Sequence, residues 1–396
     1  MAENPDVTKP DPAKPLSAAS PVRTIPADAG KSVQAGAALC LSGGGYRAMV
    51  FHIGAVWRLH ETGMLKPLKR ISSVSGGSIT AGMLALAWGK LTAAPFMRST
   101  FEAEFVGPLR SLASRTIDWP SVVVGLLPCV TVSQRIAAAY DKIFKGKTLQ
   151  NLPDEPRFVI NATNVQTGSL WRFSKPFMAD YRVGMVDKPT VSLADAVTAS
   201  SAFPPVLSPM HLPLDPAKVR QVAGNDLHQE PYISGAVLSD GGVYDNLGLE
   251  TAWKEYDTIM VSDGGGHIAP EPAPKTNWLC HTYRVLNLID NQVGALRARQ
   301  VIDSYTAPPG NINHRKGTYW GIRTDITHYG LPHTLPCPLD RTLALAATPT
   351  RLKRMDDGLQ ERLINWGYAV CDAALRKYMN PGLTPPSAFP YPAAGV

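Results

Sequence analysis

The chain has 396 residues, of which 44% are hydrophobic and 18% charged, so it can bury a large apolar core without a disulfide or metal. This composition excludes disorder over the whole length, and 33 Gly and 35 Pro without a fixed period exclude collagen-like and coiled-coil repeats. The net charge of +7 includes no long basic run, so it predicts no nucleic-acid partner, although it could favour anionic phospholipid surfaces.

Both ends of the chain are predicted to lie outside the folded domain, which is expected at residues 36–380. Residues 1–35 are rich in Pro, Ala, Asp and Lys and predict a flexible tail, and residues 381–396 predict a second, Pro-rich tail. The N-terminal segment lacks the apolar core of a signal peptide, and no apolar stretch approaches the ~20 residues that span a bilayer. The five cysteines are far apart and fit a reducing compartment. A cytoplasmic protein, at most peripheral to a membrane, is therefore expected.

Between the tails, short apolar runs that predict strands alternate with helical patterns. The predicted strands are Ala37–Leu41, Arg70–Val74, Arg157–Val165, Ser169–Ser174, Val237–Ser239 and Thr258–Ser262. One predicted helix follows the first strand and ends near Gly63, two others cover Ile79–Trp88 and Ser192–Ser201, and a last helical pattern lies within residues 345–379. The Pro-rich stretches 207–235 and 305–340 are expected to be surface loops. Strands that alternate with helices predict an α/β fold, with a mainly parallel sheet covered by helices on both faces.

A glycine-rich motif, Ser42-Gly43-Gly44-Gly45-Tyr46-Arg47, lies between the first strand and the first helix. Successive glycines allow a sharp turn that exposes backbone N–H groups, and the helix N-terminus adds a positive dipole, so the motif suits an anion or a developing oxyanion. Dinucleotide binding is the competing interpretation, because Gly43, Gly45 and Ala48 match G-x-G-x-x-A. That interpretation requires a carboxylate ending the next strand, and residues 70–75 contain none.

The end of the second strand, Ser73-Val74-Ser75-Gly76-Gly77, approximates the nucleophile elbow G-x-S-x-G. In such an elbow a serine occupies a strained strand-to-helix turn with its hydroxyl exposed. Small residues must flank it because two chain segments pass closely there. Gly77 satisfies this pattern, and Ser73 replaces the first glycine.

A third motif, Ser239-Asp240-Gly241-Gly242, also ends a predicted strand, so its aspartate could point at a serine on a neighbouring strand. The alternative is a turn aspartate that hydrogen-bonds its own backbone, which is common in Asp-Gly pairs. Asp263 lies in a near copy of the motif and is the competing candidate.

These motifs, together with Ser201-Ala202-Phe203-Pro204-Pro205, resemble the patatin-like phospholipases, a group of lipid acyl hydrolases, from about Ala37 to Tyr378. The resemblance implies a three-layer α/β/α sandwich and a catalytic dyad of Ser75 and Asp240, with no catalytic histidine, no metal and no cofactor. It also implies a lipid or ester substrate, met at a membrane or lipid-aggregate surface. The oxyanion would be held by the glycine loop and its surroundings, namely Gly43, Gly44, Gly45, Arg47 and Gly76.

Two other functions remain open at this point. An esterase of the α/β-hydrolase type would use Ser75 and Asp240 with His267 or His281 as a third member. A non-catalytic lipid- or anion-binding protein would use the glycine loop only as an anion cradle, although the presence of both Ser75 and Asp240 argues against it. The sequence does not indicate an oligomeric state.

Overall fold

The structure is a computed structural model that describes residues 33–117, 132–204, 207–222 and 224–396. The strands within these ranges are β1 (Gln34–Leu41), β2 (Leu68–Val74), β3 (Arg157–Asn164), β4 (Ser169–Phe173), β5 (Phe177–Asp180), β6 (Gly184–Asp187), β7 (Met210–Pro213), β8 (Gly235–Asp240), β9 (Tyr256–Asp263) and β10 (Lys316–Gly321). The helices are α1 (Gly45–Glu61), α2 (Gly76–Thr92), α3 (Arg98–Phe101), α4 (Gly107–Ala113), α5 (Val132–Phe144), α6 (Leu193–Ser200), α7 (Gly242–Asp245), α8 (Glu250–Trp253), α9 (Trp278–Thr306), α10 (Leu339–Ala346) and α11 (Asp357–Ala374). The predicted tail 1–35 lies almost entirely outside the described residues.

The described strands form one mixed sheet in the order β10-β9-β1-β2-β3-β4-β5-β6, with β8 paired to β3 and β7. The strands β10, β9, β1, β2 and β3 run parallel and form the centre of the sheet. The strands β4, β5 and β6 continue it antiparallel, because short turns rather than helices connect them. The prediction of an α/β fold with a mainly parallel centre is confirmed.

Side-chain alternation along β1 shows how the sheet receives a helical layer on each face. Leu39 and Leu41 pack into the larger core with α1, α2 and α11. Ala38 and Cys40 point to the opposite face, where α8 and the C-terminal part of α9 complete a smaller core around Val301. Because successive residues of a strand face opposite sides, one short apolar run supplies both cores. The result is the expected three-layer sandwich.

Two predicted loop regions contain strands. Residues 305–340 include β10, which pairs with β9 at the edge of the sheet, and residues 207–235 include β7. Pro and Gly residues around these short strands hide their alternation, so local pattern alone predicts loops. The long helix α9 had no predicted counterpart.

The C-terminal residues 381–396 correct the prediction of a flexible tail, because they pack against the domain. Phe389 and Val396 are buried in the larger core. The Asn365 side chain of α11 donates hydrogen bonds to the carbonyls of Tyr391 at 2.8 Å and Gly395 at 2.7 Å, and its Oδ1 accepts from the Tyr391 N–H at 2.9 Å. A Pro-rich composition resembles that of disordered tails, but prolines also suit an extended segment held by side chains of the core.

No helix in the described part of the chain is long and apolar enough to cross a bilayer.

Candidate active site

Ser75 occupies a strained turn between β2 and α2. Its backbone lies at φ 51° and ψ −120°, a left-handed conformation that costs a non-glycine residue about 1–3 kcal/mol. The turn persists because α2 begins directly after it and packs against the glycine-rich motif that follows β1. A Cβ atom at Gly76 would overlap the Gly45 carbonyl, and one at Gly77 would lie 2.6 Å from the Ser42 carbonyl oxygen. Both glycines are therefore required by close backbone approach.

A series of hydrogen-bonded hydroxyl groups stabilises this turn. The Ser75 N–H donates to the Ser200 hydroxyl at 2.9 Å, and that hydroxyl lies 2.9 Å from the Ser78 hydroxyl. Ser78 in turn donates to the Ser73 hydroxyl at 3.0 Å. Ser73, which departs from the G-x-S-x-G pattern, is thus accommodated, because its extra hydroxyl joins the chain of hydrogen bonds.

The sheet topology brings Asp240 to Ser75. Strand β2 pairs with the first part of β3, up to Val74 beside Asn161. Strand β8 pairs with the remainder of β3 in the opposite direction, with Asp240 beside Ala162. Because β4 covers the other edge of β3, β2 and β8 lie in line along one edge and run towards each other. Their C-terminal ends therefore meet, and a serine and an aspartate far apart in sequence become neighbours.

The Asp240 carboxyl is buried, and two neighbouring groups favour its ionised form. Its Oδ1 accepts the Gly242 N–H at 2.7 Å, and hydrogen bonding by the nearby Ser75 side chain also lowers its pKa. Burial raises the pKa of Asp240 to about 7, against the effect of these two hydrogen bonds. The charge of Asp290 raises this pKa further. The carboxyl therefore exchanges its proton near neutral pH.

The segment between α6 and the Phe203-Pro204-Pro205 motif holds Asp240 in place. The Asp240 N–H donates to the Ala202 carbonyl at 2.9 Å, and the Gly241 N–H donates to the Ser200 carbonyl at 3.2 Å. Pro205 itself lies outside the described residues.

The glycine loop presents free N–H groups beside the elbow. The N–H groups of Gly44 and Gly45 donate to no acceptor among the described residues, and neither does the N–H of Gly76. Gly43 differs, because its N–H donates to the Asn246 carbonyl at 2.9 Å. A Cβ at Gly43 would lie 3.2 Å from the Ser75 Cβ, so Gly43 keeps the loop close to the serine but its donor is already occupied.

Arg47 has few donors left for an oxyanion. Its side chain is buried, with Nε donating to the Gly264 carbonyl at 3.0 Å and Nη2 to the Thr350 hydroxyl at 2.9 Å. Its Nη1 donates to the Thr348 carbonyl. Burial lowers the pKa of Arg47 to about 10, so the guanidinium stays charged at neutral pH. These contacts favour a role in fixing the loops around the site over capture of a headgroup.

The competing aspartate, Asp263, is hydrogen-bonded to residues other than Ser75. Its Oδ2 accepts the Tyr319 hydroxyl at 2.6 Å and its Oδ1 accepts the Gly265 N–H at 2.8 Å. Asp263 ends β9, which is separated from β2 by β1 in the sheet.

Among the described residues, no histidine hydrogen-bonds Ser75 or Asp240. His267 and His281, the two candidates for a triad, are exposed. The buried His52 lies between the Ser262 hydroxyl at 2.8 Å and the Ser42 carbonyl at 3.0 Å, and burial lowers its pKa to about 4. His52 is therefore a neutral side chain that ties α1 to the sheet. The arrangement favours the dyad over the triad.

Sequence reasoning missed Asp290, which lies on α9 and affects Asp240 electrostatically. Its Oδ1 is buried without a hydrogen-bond partner in the described part of the chain, and burial raises its pKa to about 6. No local motif surrounds Asp290, and α9 itself was not predicted, so the sequence carried no signal for this neighbour. The described residues also include no group of three or more His, Cys, Asp or Glu side chains suited to a metal ion.

A family model described as Patatin-like phospholipase matches residues 39–253, more than half of the chain. The chain therefore belongs to the patatin-like phospholipase family.

Solved structures with a similar fold include human GIVD cytosolic phospholipase A2, with a TM-score of 0.47 at 12% identity over 87% of this chain and 62% of that chain. The same enzyme in complex with methyl gamma-linolenyl fluorophosphonate and terbium chloride gives a TM-score of 0.49 at 14% identity, over 88% of this chain and 59% of that chain. VipD from Legionella pneumophila gives a TM-score of 0.33 at 15% identity, over 86% of this chain and 66% of that chain. The chain thus spans about three fifths of the phospholipase A2 chains. A search of the curated proteins gives no match.

Proposed function

We propose that the protein is a serine lipid acyl hydrolase that cleaves carboxylic ester bonds of glycerolipids through a Ser75–Asp240 dyad. The observation that carries the proposal is the end-to-end meeting of β2 and β8, which sets Asp240 against the hydroxyl of a strained elbow serine. Membership of the patatin-like phospholipase family supports the same substrate class.

In the proposed reaction, Ser75 Oγ attacks the ester carbonyl carbon while Asp240 accepts the hydroxyl proton. The carbonyl oxygen becomes an oxyanion that accepts hydrogen bonds from the unpaired N–H groups of Gly44, Gly45 and Gly76. Each such donor is typically worth about 3 kcal/mol in the transition state. Asp240 then passes its proton to the leaving alcohol, and a covalent acyl-enzyme remains.

Water completes the cycle. Asp240, ionised again, removes a proton from the attacking water. When the second tetrahedral intermediate collapses, Asp240 returns this proton to Ser75 Oγ, which restores the serine and releases the fatty acid. A pKa of about 7 suits this double role, because the carboxyl must both take and return a proton near neutral pH. The chain's own residues thus supply the nucleophile, the base and the oxyanion donors.

The test is labelling with a fluorophosphonate probe together with hydrolysis of a p-nitrophenyl ester. We expect the wild-type protein to be labelled once, and Ser75→Ala to lose both labelling and turnover while its circular dichroism spectrum is unchanged. His267→Ala and His281→Ala are controls that should keep both. Turnover in a folded Ser75→Ala variant would exclude the dyad, and a wild-type protein with neither labelling nor turnover would point to the non-catalytic binding protein.

A further inference from the structure

Helix α9 exposes an apolar stripe that has no partner in the described part of the chain. Trp278, Val285, Ile289 and Leu296 are spaced by seven, four and seven residues, so they lie within about 40° of one another around the helix. Trp278 is 74% exposed, Ile289 53% and Leu296 58%. The stripe is about 27 Å long at the rise of an α-helix. Large side chains arranged in this way mark an interaction surface.

The N-terminal part of α9 is held only along its inner side. No residue of this helix before Val301 is fully buried. The inner side nevertheless meets the candidate site, because Asp290 acts on Asp240 and the Asn291 side chain donates to the Gly266 carbonyl at 3.3 Å. The helix that carries the stripe is therefore connected to the surroundings of the candidate site through its inner side.

The unpaired charges near the stripe are mainly positive. Lys275 and Arg299 are exposed and form no ion pair with another described residue, whereas Arg284 is paired with Glu271 at 3.1 Å. Two acids near the stripe are exposed, namely Glu271, which is the partner of Arg284, and Asp303, which lies beyond the end of the stripe. An apolar stripe bordered by cations suits a surface of acyl chains and anionic headgroups.

We infer that the outer face of α9, defined by Trp278, Val285, Ile289 and Leu296, is the surface by which the protein lies on an anionic phospholipid aggregate. The inference rests on the proposed function in one respect, since a lipid substrate gives the contact its purpose. A second copy of the chain is a less suitable occupant, because it would bring the same cations against one another.

The experiment is co-sedimentation of the full chain with vesicles of phosphatidylcholine and phosphatidylglycerol at low and high salt. The double variant Ile289→Gln/Leu296→Gln removes two apolar side chains and keeps good helix formers, so we expect at least about a tenfold loss of vesicle binding. The control Ile312→Gln changes an even more exposed apolar residue outside α9 and should bind as the wild type does. Wild-type binding should also weaken at high salt.

Hydrolysis of a soluble short-chain ester, measured on the same samples, separates this inference from the proposed function. The double variant should retain that hydrolysis, while its hydrolysis of vesicle lipid falls with its binding. No vesicle binding by the wild type, or equal binding by the double variant, would overturn the inference. A dimer in sedimentation that the double variant breaks, without vesicle binding, would assign the face to a second copy instead. Absent ester turnover with intact binding would count against the proposed function only.

Discussion

Asp240, the proposed base, is buried, and burial disfavours the ionised form that the proposed reaction requires. The rise of its pKa from 3.8 to about 7 means that the folded protein binds this proton more tightly than the unfolded chain does. The contribution of Asp240 to the free energy of unfolding therefore falls as pH rises from about 4 to about 7 and is lowest above 7. At pH 8 the ionisation of buried Asp240 lowers the free energy of unfolding by up to about 4 kcal/mol.

We therefore predict that Asp240→Asn loses nearly all ester turnover and melts at a higher temperature than the wild type at pH 8. The amide cannot accept the serine proton, but its oxygen can still accept the Gly242 N–H and it carries no charge to desolvate. Thermal melting at pH 4 and pH 8 checks the sign, since the gain should shrink towards pH 4. Asp263→Asn is the matched control and should keep turnover. Weakening of its hydrogen bond with Tyr319 should lower the free energy of unfolding by about 1 kcal/mol. Equal loss of turnover in both variants would contradict the assignment of the base.

A further prediction concerns the pH dependence of kcat/KM. The acid limb of kcat/KM should lie near pH 7 in the wild type, since Asp240 must be ionised to accept the proton. Asp290→Asn removes a negative charge that raises the pKa of Asp240, so the limb should move to lower pH by a fraction of a unit. The measurement is kcat/KM between pH 5 and 9, and an unmoved limb would show that Asp290 has no influence on the base.

At the scale of elements, the elbow depends on how closely α2 approaches β1. A Cβ at Gly77 would lie 2.6 Å from the Ser42 carbonyl oxygen, which is backbone and cannot turn aside. Gly77→Ala should therefore lower the free energy of unfolding by about 3 kcal/mol and reduce turnover. Gly89→Ala lies on the same helix with open space around it, and should instead be neutral or stabilising by up to about 1 kcal/mol. Chemical denaturation of both variants tests the contrast, and similar stabilities would refute the packing argument.

How far the sequence predicts an element depends on whether its residues are set by local or distant contacts. Strand β1 and helix α1 are predicted well, because a buried apolar run and a glycine turn are local signals. Strand β10 is missed, because its stability comes from pairing with β9 rather than from its own composition. The elbow at Ser75 is local and predictable, whereas the occupied N–H of Gly43 and the contacts of Arg47 depend on residues far along the chain.

At the scale of the whole molecule, the C-terminal segment is part of the fold. Residues 381–396 bury Phe389 and satisfy the amide of Asn365, which lies on the helix that packs against α1. Removal of these residues should lower the free energy of unfolding by about 3 kcal/mol or more, since it exposes core surface and leaves a polar group unpaired. Thermal melting of a chain that ends at residue 380 is the measurement. Unchanged melting would restore the interpretation of a dispensable tail.

The meeting of β2 and β8 along β3 also determines how the proposed activity would be lost on heating. Ser75 and Asp240 can separate only if one of the two strands leaves β3, and that step breaks the centre of the sheet. Inactivation and unfolding of the sheet should then be one cooperative event. The temperature at which ester turnover is lost should coincide with the midpoint of the far-ultraviolet transition, whereas loosening of the sparsely packed α9 should affect vesicle hydrolysis at lower temperature.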